Sequence, residues 1–316
     1  MADNINNINQ ADFSAYSSPR FHWSLRWALL FLFMLAALMV VGLSSLLGVF
    51  FASEVITFSI TSLLQNFVAF VLPAVAVAAV AWLMERRRGS MTLKRYVASD
   101  LRINSFSAVW LLVVVVGYII AVPVLNWLVD WNDHFNFGPL EQQLRQAEQM
   151  ATDITSKLLD VNSFWQMLAM VIVIGVATGI GEEFFFRGGL LAPMLRSRLN
   201  RHLAVWIVAI VFSAMHFQFY GFVPRLVLGL WLGYLLLWSR SLWVPIIAHS
   251  INNSMVVVIS YLSKLGFVSN EQIDAIGVAA KGQFPWLALG AAVIWLALAI
   301  IIDKKCKNFH NLTNNC

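Results

Sequence analysis

Apolar runs long enough to cross a bilayer dominate this sequence. A helix needs about 20 apolar residues to cross about 30 Å of hydrocarbon. Only 12% of the 316 residues are charged, about half the share that is usual in a soluble domain. The sequence therefore predicts an all-α polytopic membrane protein with about eight transmembrane helices. The apolar segments are 24–51, 59–84, 106–128, 162–195, 203–219, 224–239, 242–262 and 284–302.

The distribution of Lys and Arg predicts how these helices are oriented. If the N-terminus is cytoplasmic, 15 of the 21 basic residues lie in cytoplasmic segments, as the positive-inside rule requires. We therefore expect both termini to face the cytoplasm, and the compact, loop-poor layout fits a bacterial inner membrane. The net charge of +5 then reflects topology and does not indicate a nucleic-acid partner. The other six basic residues are Arg145, Lys157, Arg225, Lys264 and Lys281 in outer segments and Arg187 within a span.

Four regions follow from the apolar and polar runs. Residues 1–22 form a polar cytoplasmic arm without the basic start and short apolar core of a signal peptide. Residues 23–160 contain the first transmembrane helices and an outer loop, 129–161, where Pro139 begins either an amphipathic helix or a solvated connector. Residues 161–302 form the helical core with the candidate catalytic groups. Residues 303–316 form a cytoplasmic tail whose Cys306 and Cys316 make no disulfide framework.

Strongly polar side chains inside the predicted spans are concentrated in the second half of the chain. A charged side chain at the bilayer centre costs from about 3 to more than about 10 kcal/mol, so such residues mark functional sites. A helix rise of about 1.5 Å per residue places four of them, Glu182, His216, His249 and Asn253, about 10 to 21 Å from the cytoplasmic surface. We therefore expect the helices to enclose an intramembrane polar cavity. The residues are Glu182, Glu183 and Arg187 in the fourth span, His216 in the fifth, and His249, Asn252 and Asn253 in the seventh.

The spacing of these residues predicts which of them act together. Residues four apart share a helix face, so Glu183 pairs with Arg187, and His249 and Asn253 point the same way. Glu182 is rotated by about 100° from its neighbour. We expect the Glu183–Arg187 pair to be structural and Glu182 to face the histidines. The reverse assignment of the two glutamates stays open.

A carboxylate and an imidazole aimed at one water form a general-base arrangement. A second imidazole and an amide then stabilise an oxyanion. Alternatively, Glu182, His216 and His249 bind Zn²⁺ with an open position for water. Both routes lead to hydrolysis of an amide or ester bond. The sequence has no HExxH, no GxSG, no pair of intramembrane aspartates and no cysteine within a span, so activated water is the expected nucleophile.

Three short motifs resemble those of the CPBP family of intramembrane proteases. "EEFFFR" at 182–187 is similar to EExxxR, "FSAMH" at 212–216 to FxxxH, and "HSINN" at 249–253 to HxxxN. The family includes bacterial Abi or CAAX-like proteases and is related to the type II CAAX prenyl endopeptidases. The resemblance covers about residues 160–260, and every motif position, including Phe212, is filled.

The resemblance implies a role for each motif residue. Glu182 and His216 would activate water, while His249 and Asn253 would stabilise the oxyanion. The expected protein is an intramembrane endopeptidase that acts on a membrane-associated peptide or a lipidated protein, as a metallo- or glutamate-dependent protease. A non-catalytic scaffold or immunity protein is the alternative. A proton-coupled transporter fits less well, because such proteins often have repeated halves and this sequence shows no repeat.

Overall fold

The computed structural model describes residues 70–72, 75, 102–195, 199–280 and 283–313. This part of the chain is helical, and none of its residues lies in a strand. The third helix is continuous but contains two π-helical segments, Val171–Ala177 and Phe184–Leu191. The described helices are α1 (Val109–Asp133), α2 (Glu141–Leu159), α3 (Phe164–Leu191), α4 (Arg201–Ala214), α5 (Phe222–Ser239), α6 (Trp243–Lys264), α7 (Asn270–Asp274) and α8 (Trp286–Thr313).

Five of these helices, α1, α3, α5, α6 and α8, are long and apolar enough to cross a membrane. They confirm the prediction of an all-α integral membrane protein. Helix α4 is apolar but has only 14 residues, and it ends five positions before the predicted end of the fifth span. The first two predicted spans, 24–51 and 59–84, lie outside the described residues except for 70–72 and 75.

Of the two alternatives for the outer loop, an amphipathic helix or a solvated connector, the structure has a helix, α2. Pro139 lies in a single 3₁₀ turn that leads into it, as its fixed φ favours. Arg145 of α2 forms ion pairs with Asp133 at 2.5 Å and with Glu141 at 3.0 Å. Its guanidinium also lies 3.6 Å from the centre of the Tyr220 ring. These contacts tie α2 to the end of α1 and to the turn before α5.

Small residues bring α3 and α6 into close contact. A Cβ atom on Gly175 would lie 2.0 Å from Ser254 Oγ, and one on Gly179 would lie 2.6 Å from Ser250 Oγ. Glycine at both positions therefore lets the two backbones approach, as in other membrane helix pairs with GxxxG spacing. The paired numbers run in opposite directions, so the helices are antiparallel. One turn beyond Gly179, Glu183 consequently meets α6.

The second GxxxG pair packs α5 against α4. A Cβ atom on Gly229 would lie 3.1 Å from Phe212, and one on Gly233 would lie 2.8 Å from Val205. The buried end of α3 packs against the same pair of helices, and Phe70 extends this core through its ring contact with Phe185 at 5.9 Å. This core places the end of α4 beside the glutamates of α3.

We predict that Gly175→Ala lowers the free energy of unfolding by about 1–3 kcal/mol, because the added methyl group overpacks the α3–α6 contact. Ser254→Gly in the same background should recover part of the loss, since it removes the atoms nearest to the new Cβ. The measurement is thermal unfolding in detergent, followed by circular dichroism.

Gly290→Ala is the matched control for this prediction. Gly290 lies in α8, and apart from the backbone of its own helix no atom of the described residues lies within 4 Å of the position that its Cβ would take. This variant should be neutral or slightly stabilising, since alanine favours helix over glycine. Equal melting temperatures for the two alanine variants would contradict the close α3–α6 packing.

Candidate active site

A buried ion pair lies at the centre of the site. Arg187 Nη1 is 2.7 Å from Glu183 Oε1, and both side chains have no exposed surface. Arg187 Nη2 donates a hydrogen bond to the carbonyl oxygen of Gly229 on α5 at 3.0 Å. Its Cζ also lies 4.7 Å from the centre of the Phe212 ring on α4, a cation–π distance. The pair that the spacing predicts is thus present, and it connects α3 to two other helices.

Glu183 has a second partner on α6. The same oxygen, Oε1, lies 2.8 Å from His249 Nδ1. An ionised carboxylate only accepts hydrogen bonds, so Nδ1 is the donor and the other ring nitrogen, Nε2, is left for chemistry. Sequence analysis missed this contact, because helical spacing relates residues within one helix and carries no signal between helices. Glu183 is therefore more than the partner of Arg187.

Glu182 approaches the opposite edge of the same imidazole. Its Oε2 lies 3.8 Å from His249 Nε2, too far for a direct hydrogen bond. This oxygen is buried and accepts no hydrogen bond from the described protein groups. A buried carboxylate oxygen ordinarily has a hydrogen-bond donor, so this oxygen is an exception among the described groups. The two adjacent glutamates thus contact different edges of one histidine.

His216 follows the C-terminal end of α4. Its Nδ1–H donates to the Phe212 carbonyl oxygen at 2.8 Å, which leaves Nε2 as the acceptor nitrogen. The Phe212 ring packs edge-on against the His216 ring at 5.0 Å and against the His249 ring at 5.8 Å. His216 is also close enough to Glu182 and His249 to interact with both electrostatically. Phe212 therefore separates and orients the two imidazoles.

Asn253 lies on the His249 face of α6 and contacts backbone. Its Nδ2 donates to the Ile174 carbonyl oxygen at 3.4 Å, within the first π-helical segment of α3. Its Oδ1 accepts a hydrogen bond from Asn252 at 3.2 Å. An amide carries two N–H donors, so one remains for a ligand.

A metal site is the alternative that the sequence leaves open for Glu182, His216 and His249. Within the described ranges, no three His, Cys, Asp or Glu side chains form a group that could hold a metal ion. Glu182, His216 and His249, the alternative zinc set, are therefore not brought together as metal ligands in this arrangement. The site is a cluster of two carboxylates and two imidazoles.

We predict that Arg187→Met lowers the free energy of unfolding by about 3–5 kcal/mol, because it leaves the Glu183 charge buried and unpaired. Arg145→Met is the matched control, since its ion pairs are partly exposed and are worth only about 0–1 kcal/mol. Chemical denaturation in detergent measures both. Equal losses in the two variants would contradict the central role of the buried pair.

Comparisons with known proteins agree with the motifs. A family model described as type II CAAX prenyl endopeptidase Rce1-like matches residues 164–255. Searches of curated proteins and of solved structures found no match. The matched segment runs from the start of α3 into α6 and contains all three motifs. The part of the chain that forms the site is therefore similar to the Rce1-like family of type II CAAX prenyl endopeptidases.

Proposed function

We propose that this protein is an intramembrane endopeptidase in which Glu182 and His216 activate the water that cleaves a peptide bond. The observation that carries this proposal is the buried Glu182 Oε2, which has no donor among the described residues and lies 3.8 Å from His249 Nε2. The Rce1-like match over residues 164–255 supports a CAAX-type protease in general terms.

The first step is attack by water on the substrate carbonyl carbon. Glu182 accepts one proton from the water, and His216 Nε2 accepts a hydrogen bond from it, since Nδ1 is already engaged with Phe212. A new C–O bond forms while the carbonyl π electrons move onto its oxygen. General-base catalysis of this kind contributes about 10²–10⁴-fold to the rate.

The second requirement is to stabilise the oxyanion that forms. A protonated His249 donates from Nε2, while its Nδ1 stays bound to Glu183. Asn253 supplies the amide hydrogen that Ile174 does not use. Removing one such donor typically costs about 3–4 kcal/mol of transition-state stabilisation.

The intermediate then collapses to products. The C–O π bond re-forms and the C–N bond breaks, with the electron pair leaving on nitrogen. The proton held by Glu182 passes to the departing amine, so the general base becomes the general acid. Glu183 and Arg187 take no proton in this scheme. They act through His249, whose ring they hold in place.

The surroundings of the site limit the class of substrate. The cluster lies among helices apolar enough to span a membrane, so we propose that the substrate is a membrane-associated peptide or a lipidated protein. The basic-residue distribution supports a cytoplasmic location for both termini, in a membrane such as the bacterial inner membrane.

We predict that Glu182→Gln lowers the rate of peptide hydrolysis by about 10²–10⁴-fold. The melting temperature should stay unchanged, because the replacement has the same shape and Glu182 makes no ion pair with Arg187. The assay uses protein in liposomes and two internally quenched peptides that are identical except for a farnesyl group on one cysteine. Cleavage of only the farnesylated peptide would assign prenylated substrates.

Glu271→Gln is the control for the loss of a carboxylate, since Glu271 is exposed on α7 and should leave hydrolysis unchanged. Full activity in Glu182→Gln, with complete loss in a stably folded Glu183→Gln, would reverse the roles of the two glutamates. A non-catalytic scaffold would be favoured if Glu182→Gln and His216→Ala both bound the peptide as the wild type does and no variant, including the wild type, hydrolysed it.

A further inference from the structure

Arg225 lies near the start of α5 and has no part in the scheme above. Its guanidinium turns back toward the loop between α4 and α5. Nη1 donates to the Gln218 side-chain oxygen at 3.1 Å, and Nη2 donates to the Gln218 backbone carbonyl. A planar guanidinium suits this two-point contact, which a lysine could not reproduce. Arg225 thus holds both the backbone and the side chain of one loop residue.

The loop that Arg225 holds also presents His216. Met215 caps the end of α4, and the chain then turns through Phe217, with a φ of +53°, into an extended Gln218. A positive φ is unfavourable for phenylalanine, because its Cβ crowds the following carbonyl oxygen. The Phe217 side chain is 65% exposed, so burial of its ring does not hold this turn. A conformation of this kind persists only where surrounding contacts impose it.

The glycine at position 221 makes room for the guanidinium. A Cβ atom there would lie 2.7 Å from both Nη1 and Nη2 of Arg225. Any other residue at 221 would therefore push the guanidinium away from Gln218. The φ of Gly221 is −110°, so the glycine is required for space and not for backbone conformation.

Helix α2 also contacts Gln218. The Gln218 side-chain amide lies 3.3 Å from Glu148 Oε1 on α2. Glu148 also interacts electrostatically with Arg225. The amide of Gln218 is therefore held at its oxygen by a cation and at its nitrogen by an anion. The end of α4 accepts backbone hydrogen bonds from His216 and Phe217, and side chains of α1 and α4 contact residues 219–223. Arg225 contacts Gln218, the residue between these two sets.

We propose that Arg225 is a positioning residue for His216. By clamping Gln218 it maintains the unfavourable turn at Phe217, and that turn sets the direction of the preceding imidazole. This inference rests on the proposed role of His216 in activating water. It assigns a purpose to a part-buried cation near the start of α5, and it explains why a glycine occupies position 221.

The test combines kinetics with hydrogen exchange on four variants in liposomes. Arg225→Met should lower kcat at least tenfold with little change in KM, because a misplaced base slows the chemical step without weakening substrate binding. Gly221→Ala should do the same by displacing the guanidinium. Phe217→Gly in the Arg225→Met background should restore most of kcat, since glycine adopts a positive φ without steric cost.

The fourth variant, Arg201→Met, is the matched control. Arg201 carries a guanidinium at the opposite end of α4, where it pairs with Asp303, and its loss should leave kcat unchanged. A kcat in Arg225→Met equal to the wild type, or a loss that Phe217→Gly does not restore, would overturn the proposal.

Hydrogen exchange tests the contact between Arg225 and Gln218, here called the clamp, independently of the proposed function. Backbone amides of residues 215–221 should exchange at least tenfold faster in Arg225→Met than in the wild type, and this holds whether or not the protein cleaves a peptide. Faster exchange in a protein that hydrolyses nothing would refute the protease and keep the clamp. Unchanged exchange would refute the clamp itself.

Discussion

The buried Glu183 carboxylate is the interaction on which the site depends. A single oxygen accepts hydrogen bonds from Arg187 and from His249, and so joins α3 to α6. Arg187 extends the connection to α5 through the Gly229 carbonyl. A buried ion pair adds little net stability, because desolvation offsets much of the Coulombic attraction. Its presence is better explained by the geometry that it imposes on His249.

Close backbone packing makes that geometry possible. Gly175 and Gly179 let α3 approach Ser254 and Ser250 of α6, so that Glu183 reaches the ring of His249. The π-helical segments add a further adjustment, because they change which carbonyl groups face α6. Asn253 binds one of these carbonyls, that of Ile174. The fold thus uses small residues and irregular helical turns to bring polar groups together inside an apolar protein.

Sequence alone predicted much of this arrangement. Apolar runs located the helices, since crossing a bilayer imposes a minimum length. The spacing of Glu183 and Arg187 predicted their ion pair, because i and i+4 share one helix face. The contact between Glu183 and His249 was not predictable in this way, because it depends on how two helices pack. The early end of α4 was also missed, since hydropathy continues through Phe217 and does not register its positive φ.

The central claim is that a carboxylate–imidazole cluster cleaves a peptide bond with water that the protein itself activates. The most direct test measures peptide hydrolysis by the wild-type protein in liposomes after dialysis against a strong chelator. The metal content of the same sample is counted by mass spectrometry. We expect undiminished hydrolysis with far less than one metal ion per chain. Hydrolysis that disappears with the metal and returns with one equivalent of Zn²⁺ would contradict this claim.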